Sequence, residues 1–236
     1  IFKKDFLIKQ LVEDGFAVQS RIPLFLDGGL PETMAKSVGL GLLRIVDELK
    51  RLKPDMVFVN ADRFEMMVAA LGASYLNIPI VHNEAGDVSG TIDENIRHAI
   101  TKLAHLHFTV TEKSRQRVIQ MGENPDFVFR VGSPAIDGLK DLDLSYLVKT
   151  PPDFYDTKSY LLILLHPVAT ETKEYNAAMT EDIIRVVEDL RMPAVFVGSN
   201  IDAGSSEVGG TLRDWRESKK PESVWFIKNL PPDDFY

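Results

Sequence analysis

The sequence predicts an α/β fold of parallel sheets arranged as two Rossmann-like domains. Three observations predict it: short apolar runs bounded by turn-forming residues, segments of helical period between them, and the strict alternation of the two. Strand, helix and strand in succession form the βαβ unit, which gives parallel pairing and a right-handed crossover.

The apolar runs cover residues 56–60, 78–82, 106–110, 127–131, 160–165, 194–197 and 224–227. They are β-branched or aromatic, lie between Gly, Pro, Asn or Asp, and read as strands buried on both faces. In the segment 33–53, Met34, Val38, Leu42, Ile45 and Leu49 fall at steps of four and three, the period of a helix with one apolar face. Phe64, Met67, Val68, Leu71 and Tyr75 repeat that spacing, as do Met179, Ile183, Val187 and Leu190. A further helix is expected over 93–103. The stretch 137–158, with Pro151-Pro152 inside it, breaks the alternation and reads as a linker. It places an N-terminal domain, lacking its first strand, at 1–148 and the start of an incomplete C-terminal domain at 149–236.

Composition narrows the function classes. Apolar residues at 44% and charged residues at 26% are globular usage and exclude a disordered chain. The absence of cysteine excludes structural disulfides, thiolate zinc sites and cysteine nucleophiles, and suits a reducing cytosol. The net charge of −8 offers no basic face for a phosphate backbone, so no nucleic-acid partner is expected. The longest apolar run, 161–165, falls far short of the ~18 residues of a membrane span. With no basic-then-apolar leader at Ile1, a cytoplasmic protein without a membrane partner is expected.

In an open parallel sheet, ligands bind beyond the carboxyl ends of the strands. The residues that follow each run are therefore the ones to inspect. They are Asp62 and Arg63; Glu84; Gly132-Ser-Pro134; His166; and Gly198, Ser199, Asn200 and Asp202. Each has a plainer reading. Asp62 suits the N-cap of a helix beginning near Arg63, and Asp93 suits the first turn of the helix it heads. Glu84 suits a solvated loop, and Asn200 with Asp202 an Asx-turn. His82, His98, His105 and His107 read as structural. The pair His105-x-His107 lacks a third ligand at zinc spacing. No G-x-G-x-x-G or G-x-x-x-x-G-K-[ST] motif is present; the small-residue run Asp202-Ala-Gly-Ser-Ser206 is the one phosphate-cradle candidate.

The contiguous text is more specific. Asp62-Arg-Phe-Glu-Met66, the run from His82-Asn-Glu-Ala-Gly-Asp87 through Thr91 to His105, Gly132-Ser-Pro134, His166-Pro-Val168 and Asn200-Ile-Asp-Ala-Gly-Ser205 together resemble the UDP-N-acetylglucosamine 2-epimerase family. They are most similar to its hydrolysing branch, which feeds sialic-acid-type sugars. The resemblance covers essentially the whole chain. It implies a glycosyltransferase-B-like architecture with the nucleotide sugar between two Rossmann-like domains. It also implies further family segments on both sides: a strand and Thr-Arg-type loop before Ile1, and a Ser-Ser/Gly-Glu loop after Tyr236. The chain departs from the pattern at Asn60-Ala61, where a His-Gly pair is usual. It departs again at Asn83 and Ala85, where an apolar residue and a glycine are commoner around Glu84.

The resemblance further implies the chemistry. The C2 proton leaves while UDP departs from C1, and water adds to the resulting glycal, giving N-acetylmannosamine and UDP. Asp62, Glu84 and Asp93 are then the acid/base set. His166 and Arg63 would stabilise the departing diphosphate, with Asn200, Asp202 and Ser205 on the nucleotide side. Arg97 would orient Asp93 as an i,i+4 pair, or serve as a structural salt bridge. No metal or redox cofactor is required, and a homodimer or homotetramer is implied. Rival readings are the non-hydrolysing branch, the same chemistry on a UDP-linked 2,4-diacetamido-trideoxy sugar, a nucleotide-sugar sensor without catalysis, and a glycosyltransferase on the same fold.

Overall fold

The structure, a computed structural model, describes residues 6–26, 30–90, 92–137, 139, 159–168, 170–198 and 204–227. Two helices open the chain, α1 (Phe6–Glu13) and α2 (Pro31–Leu52). The first sheet then runs through β1 (Val57–Asn60), α3 (Phe64–Tyr75), β2 (Ile80–Asn83), α4 (Ile92–Leu103), β3 (Leu106–Thr109), α5 (Glu112–Gln120) and β4 (Val128–Arg130). A short α6 (Pro134–Asp137) follows β4. The second sheet comprises β5 (Leu161–Leu164), α7 (Lys173–Leu190), β6 (Ala194–Val197), α8 (Ser205–Lys219) and β7 (Val224–Ile227). The domain boundary expected at 148/149 lies outside the described residues, as does most of the expected linker.

Both sheets are parallel, and their strands stand side by side in chain order, β1-β2-β3-β4 and β5-β6-β7. When each right-handed crossover adds its strand on the same side of the last, the connecting helices all fall on one face. The packing follows. Val59 and Ile80 meet Ala70 and Ala73 of α3 and Ile100 and Ala104 of α4, with Leu49 of α2 behind them. Val128 meets Val118 of α5. Register puts Val59, His82, His107 and Val128 in one row, and all four are buried. Burying each such aliphatic side chain contributes about 1.5–3 kcal/mol.

The opposite face differs from expectation. Both faces of every strand were expected to be buried, yet Phe58 of β1 is 58% exposed, Phe129 of β4 44% and Leu162 of β5 61%. Sequential strand order is the physical reason, because among the described residues the crossover helices cover one side only. The central strands β2 and β6 are buried along their whole length. In the second sheet Phe196, Phe226 and Trp215 form an aromatic cluster, with Phe196 stacked on Phe226 at 5.5 Å between ring centroids. The Trp215 indole donates to Glu188 at 2.8 Å, which satisfies its polar edge.

Candidate active site

Parallel strands in register deliver their exits to a common edge, and the polar residues sit there. The first exit begins with a left-handed residue: Ala61 has φ +58°, a conformation that costs a non-glycine residue of order 1 kcal/mol. Its N–H donates to the Asn83 carbonyl at 3.0 Å. Its own carbonyl lies 2.9 Å from His82 Nε2. A carbonyl only accepts, so His82 donates through Nε2 and, when neutral, presents Nδ1 as an acceptor. Nδ1 lies 3.1 Å from the Thr101 hydroxyl of α4. Burial holds the His82 pKa down to about 4, keeping the ring neutral.

That arrangement turns the next residue, Asp62, toward α4. Its carboxylate meets the Arg97 guanidinium, and both side chains are largely shielded, 16% and 11% exposed. Arg97 was expected to orient Asp93 or to serve as a structural salt bridge; its guanidinium forms an ion pair with Asp62. Asp62 is also not the cap of α3, whose N-cap is Arg63 with no side-chain cap bond. Its pKa is raised, first by burial and then by the negative charges of Asp93 and Glu84, while Arg97 opposes the shift. The acids proposed from three separate segments thus share one electrostatic field.

Glu84 leaves β2 with φ +59°. Its carboxylate accepts from the Ser133 hydroxyl at 3.1 Å, so the β2 and β4 exits are tied together. Ser133 was legible in the sequence only as part of Gly132-Ser-Pro134. Two residues on, Gly86 has φ +80°, and a Cβ there would stand 2.5 Å from the Ser114 carbonyl oxygen. Asp93 lies in the first turn of α4, half-buried. Arg63, expected at a diphosphate, places its guanidinium on Glu65 through Nε–Oε2 and Nη2–Oε1 contacts, both 3.2 Å.

The second sheet carries the remaining residues. His166 follows β5 and is exposed. Asn176, buried in α7, grips the loop behind it: Oδ1 accepts from the Val168 N–H at 2.8 Å and Nδ2 donates to the Val168 carbonyl at 3.1 Å. Gly204 packs so closely there that a Cβ would stand 2.9 Å from both Asn176 and Pro167. Ser205 opens α8 beside it. Asn200 and Asp202 lie outside the described residues.

His105 and His107 have structural partners, whereas His98 Nδ1 is buried with none among the described residues. His105 Nδ1 accepts from the Ile80 N–H at 3.3 Å, and His107 Nε2 lies 3.3 Å from Glu123. Among the described residues no three His, Cys, Asp or Glu side chains gather as a metal site, and no helix is long and apolar enough to cross a membrane.

Two parallel α/β sheets in succession give the chain a glycosyltransferase-B-like fold. Solved structures share the fold. UDP-GlcNAc 2-epimerase from Neisseria meningitidis bound to UDP-GlcNAc superposes at TM-score 0.80, 19% identical, over 99% of this chain and 64% of that one. The Methanocaldococcus jannaschii enzyme in complex with UDP-GlcNAc and UDP gives 0.77 at 19% identity, over 100% and 65%. Residues 5–236 match the family described as UDP-N-acetylglucosamine 2-epimerase, and the chain belongs to that family. A Legionella pneumophila relative named UDP-N,N'-diacetylbacillosamine 2-epimerase (hydrolyzing) is 32% identical over 97% of this chain. A Campylobacter jejuni relative named GDP/UDP-N,N'-diacetylbacillosamine 2-epimerase (hydrolyzing) is 28% identical over 91%. The chain spans 60% and 57% of the lengths of these relatives.

Proposed function

We propose that this chain carries the acid/base side of a hydrolysing UDP-sugar 2-epimerase. The observation that carries the proposal is the placement of Asp62 at the β1 exit, shielded and paired with Arg97, and of Glu84 at the β2 exit, held by Ser133; burial there raises the Asp62 pKa. A carboxylate in that state is a stronger base than a solvated one.

One acid of the set takes the C2 proton while the C1–O bond to UDP breaks, leaving a C1–C2 double bond. Water then adds its oxygen to C1, and a proton returns to C2 on the opposite face. The products are UDP and the free C2-inverted sugar. Arg97 favours the ionised form of Asp62, Ser133 aims Glu84, and His166, Arg63, Asn200, Asp202 and Ser205 serve the UDP moiety. The water-consuming outcome is favoured by the names of both long-matching relatives, each designated hydrolyzing.

For the sugar, UDP-GlcNAc giving N-acetylmannosamine is one substrate. A UDP-linked 2,4-diacetamido-trideoxyhexose is the second, favoured because the relatives matched over 97% and 91% of the chain are named for diacetylbacillosamine. The assembly is read as a homodimer or homotetramer working in the cytoplasm. The test is to incubate the intact protein with each UDP-sugar in deuterated water and identify the products. Deuterium at C2 of a free, inverted sugar supports the mechanism. Asp62→Asn or Glu84→Gln should abolish product while UDP binding persists; equal loss of binding and turnover would assign these acids a structural role instead.

A further inference from the structure

Two asparagines beside the candidate carboxylates are in contact. Asn60 and Asn83 are register partners at the last positions of β1 and β2, and Asn83 Nδ2 donates to Asn60 Oδ1 at 2.6 Å. They lie on the sheet face opposite the helices. The register pair behind them, Phe58 with Val81, is apolar, so the face turns polar only at the exits. Asn83 is 3% exposed and Asn60 is exposed. Asn83 is the residue before Glu84, and Asn60 is two before Asp62.

Stability alone does not call for this pair. Burying a carboxamide costs free energy that one hydrogen bond recovers only in part, and an apolar side chain at position 83 would carry no such cost. The pair has unused capacity instead. A primary carboxamide holds two N–H donors and two carbonyl lone pairs. The bond between Asn83 and Asn60 consumes one donor and one lone pair, leaving N–H groups and carbonyl lone pairs on two side chains bound together. An acylamino group presents the complementary set, a carbonyl acceptor and an N–H donor on separate atoms. A hydroxyl offers a single atom and can engage only part of such a pair.

We propose that Asn60 and Asn83 act as one specificity-determining unit that hydrogen-bonds a second acylamino substituent on the sugar, one away from the reacting C2. The inference rests on the epimerase reading above and names the residues that would select between its two sugars. It makes this edge of the sheet the wall facing the ring substituents, with Asp62 and Glu84 facing the C2–H bond. A site built around polar partners discriminates strongly against a ligand that leaves them unpaired.

The test compares UDP-GlcNAc with UDP-N,N'-diacetylbacillosamine in the intact protein and in Asn60→Ala, Asn83→Leu and the double variant. Both kcat/KM and calorimetric affinity are measured for each sugar. The expected result is preference for the diacetamido sugar. The preference should fall about tenfold in either single variant, and the double variant should fall no further than the worse single, the mark of a coupled pair. Preference for UDP-GlcNAc in the unaltered protein, or an equal loss on both sugars in the variants, overturns the proposal. Should Asn83→Leu fail to fold, Asn60→Ala at the exposed partner carries the same test. If the unaltered protein turns over neither sugar, the epimerase reading fails, and an unchanged affinity ratio across the variants then overturns the pair separately.

Discussion

His82 gives the sharpest quantitative prediction. It is fully buried, bonded to Ala61 and Thr101, and its pKa falls from 6.5 to about 4 chiefly through burial. Its neighbours His107, Arg97 and His98 push the same way, and the Ala61 carbonyl opposes them. In the interval between the two pKa values the unfolded chain binds a proton that the folded chain refuses. Stability is therefore intact above about pH 6.5 and is lost as the pH falls toward 4. At about 1.4 kcal/mol per unit, the shift corresponds to about 3 kcal/mol.

His82→Gln removes the titration but keeps a donor for Ala61 and an acceptor for Thr101. Urea unfolding from pH 7.5 to pH 4 should show the unaltered protein losing about 3 kcal/mol more than the variant across that range. Other groups cancel in the difference. Asp62, with its raised pKa, has the opposite sign and loses stability as pH rises, while lowered His107 adds to the acid-side loss. Near neutral pH, His82→Leu should cost roughly 2–4 kcal/mol, because it strips the Ala61 carbonyl of its donor and Thr101 of one of its two contacts, the other being the Arg97 carbonyl, and His82→Gln clearly less. Parallel pH curves for the unaltered protein and His82→Gln would refute the buried-neutral assignment.

Further predictions concern backbone and loop. Gly86→Ala combines φ +80° with a Cβ 2.5 Å from the Ser114 carbonyl oxygen and 2.6 Å from Val118; it should destabilise by roughly 2 kcal/mol or more, read as a lowered thermal midpoint. Asn176→Leu removes bonds to the Val168 N–H, the Val168 carbonyl and the Thr172 carbonyl. It should cost roughly 2–4 kcal/mol in urea, with Asn176→Asp, which keeps the acceptor, in between.

The fold was legible where burial and period agree. β6 and β7 fall at the expected 194–197 and 224–227, and α3 spans the expected Phe64–Tyr75. β2 starts at Ile80 rather than 78 because Asn77, at φ +56°, turns the chain out of α3 and the Ile78 N–H still bonds the Ala73 carbonyl. α5 was not legible: of its residues only Ser114 and Val118 are buried, so no apolar stripe marks it. α8 was hidden by Gly209-Gly210 within it, residues that sequence reasoning assigns to turns. The candidate site divides the same way. Asp62, Glu84 and Asp93 were readable as strand-exit and helix-start acids. The long-range partners, Arg97 for Asp62 and Ser133 for Glu84, were not, because pairs 35 and 49 residues apart leave no local pattern.

The two exits nearest the proposed chemistry are the places where the backbone is least relaxed. Ala61 and Glu84 adopt left-handed geometry without being glycine, each costing of order 1 kcal/mol. Such a conformation persists only where its surroundings fix it, and both are fixed. The Ala61 N–H and carbonyl are held by Asn83 and His82, and the Glu84 carboxylate is held by Ser133 while the next N–H, of Ala85, bonds Phe108. The strain therefore sets direction, turning the Asp62 carboxylate toward Arg97 of α4 and that of Glu84 toward Ser133 after β4. Burial there raises Asp62 while Arg97 restrains it. Arg97 opposes without overriding, since the net shift remains upward. Under the proposed chemistry the two influences on Asp62 work in opposite senses, burial strengthening it as a base and Arg97 favouring its ionised form.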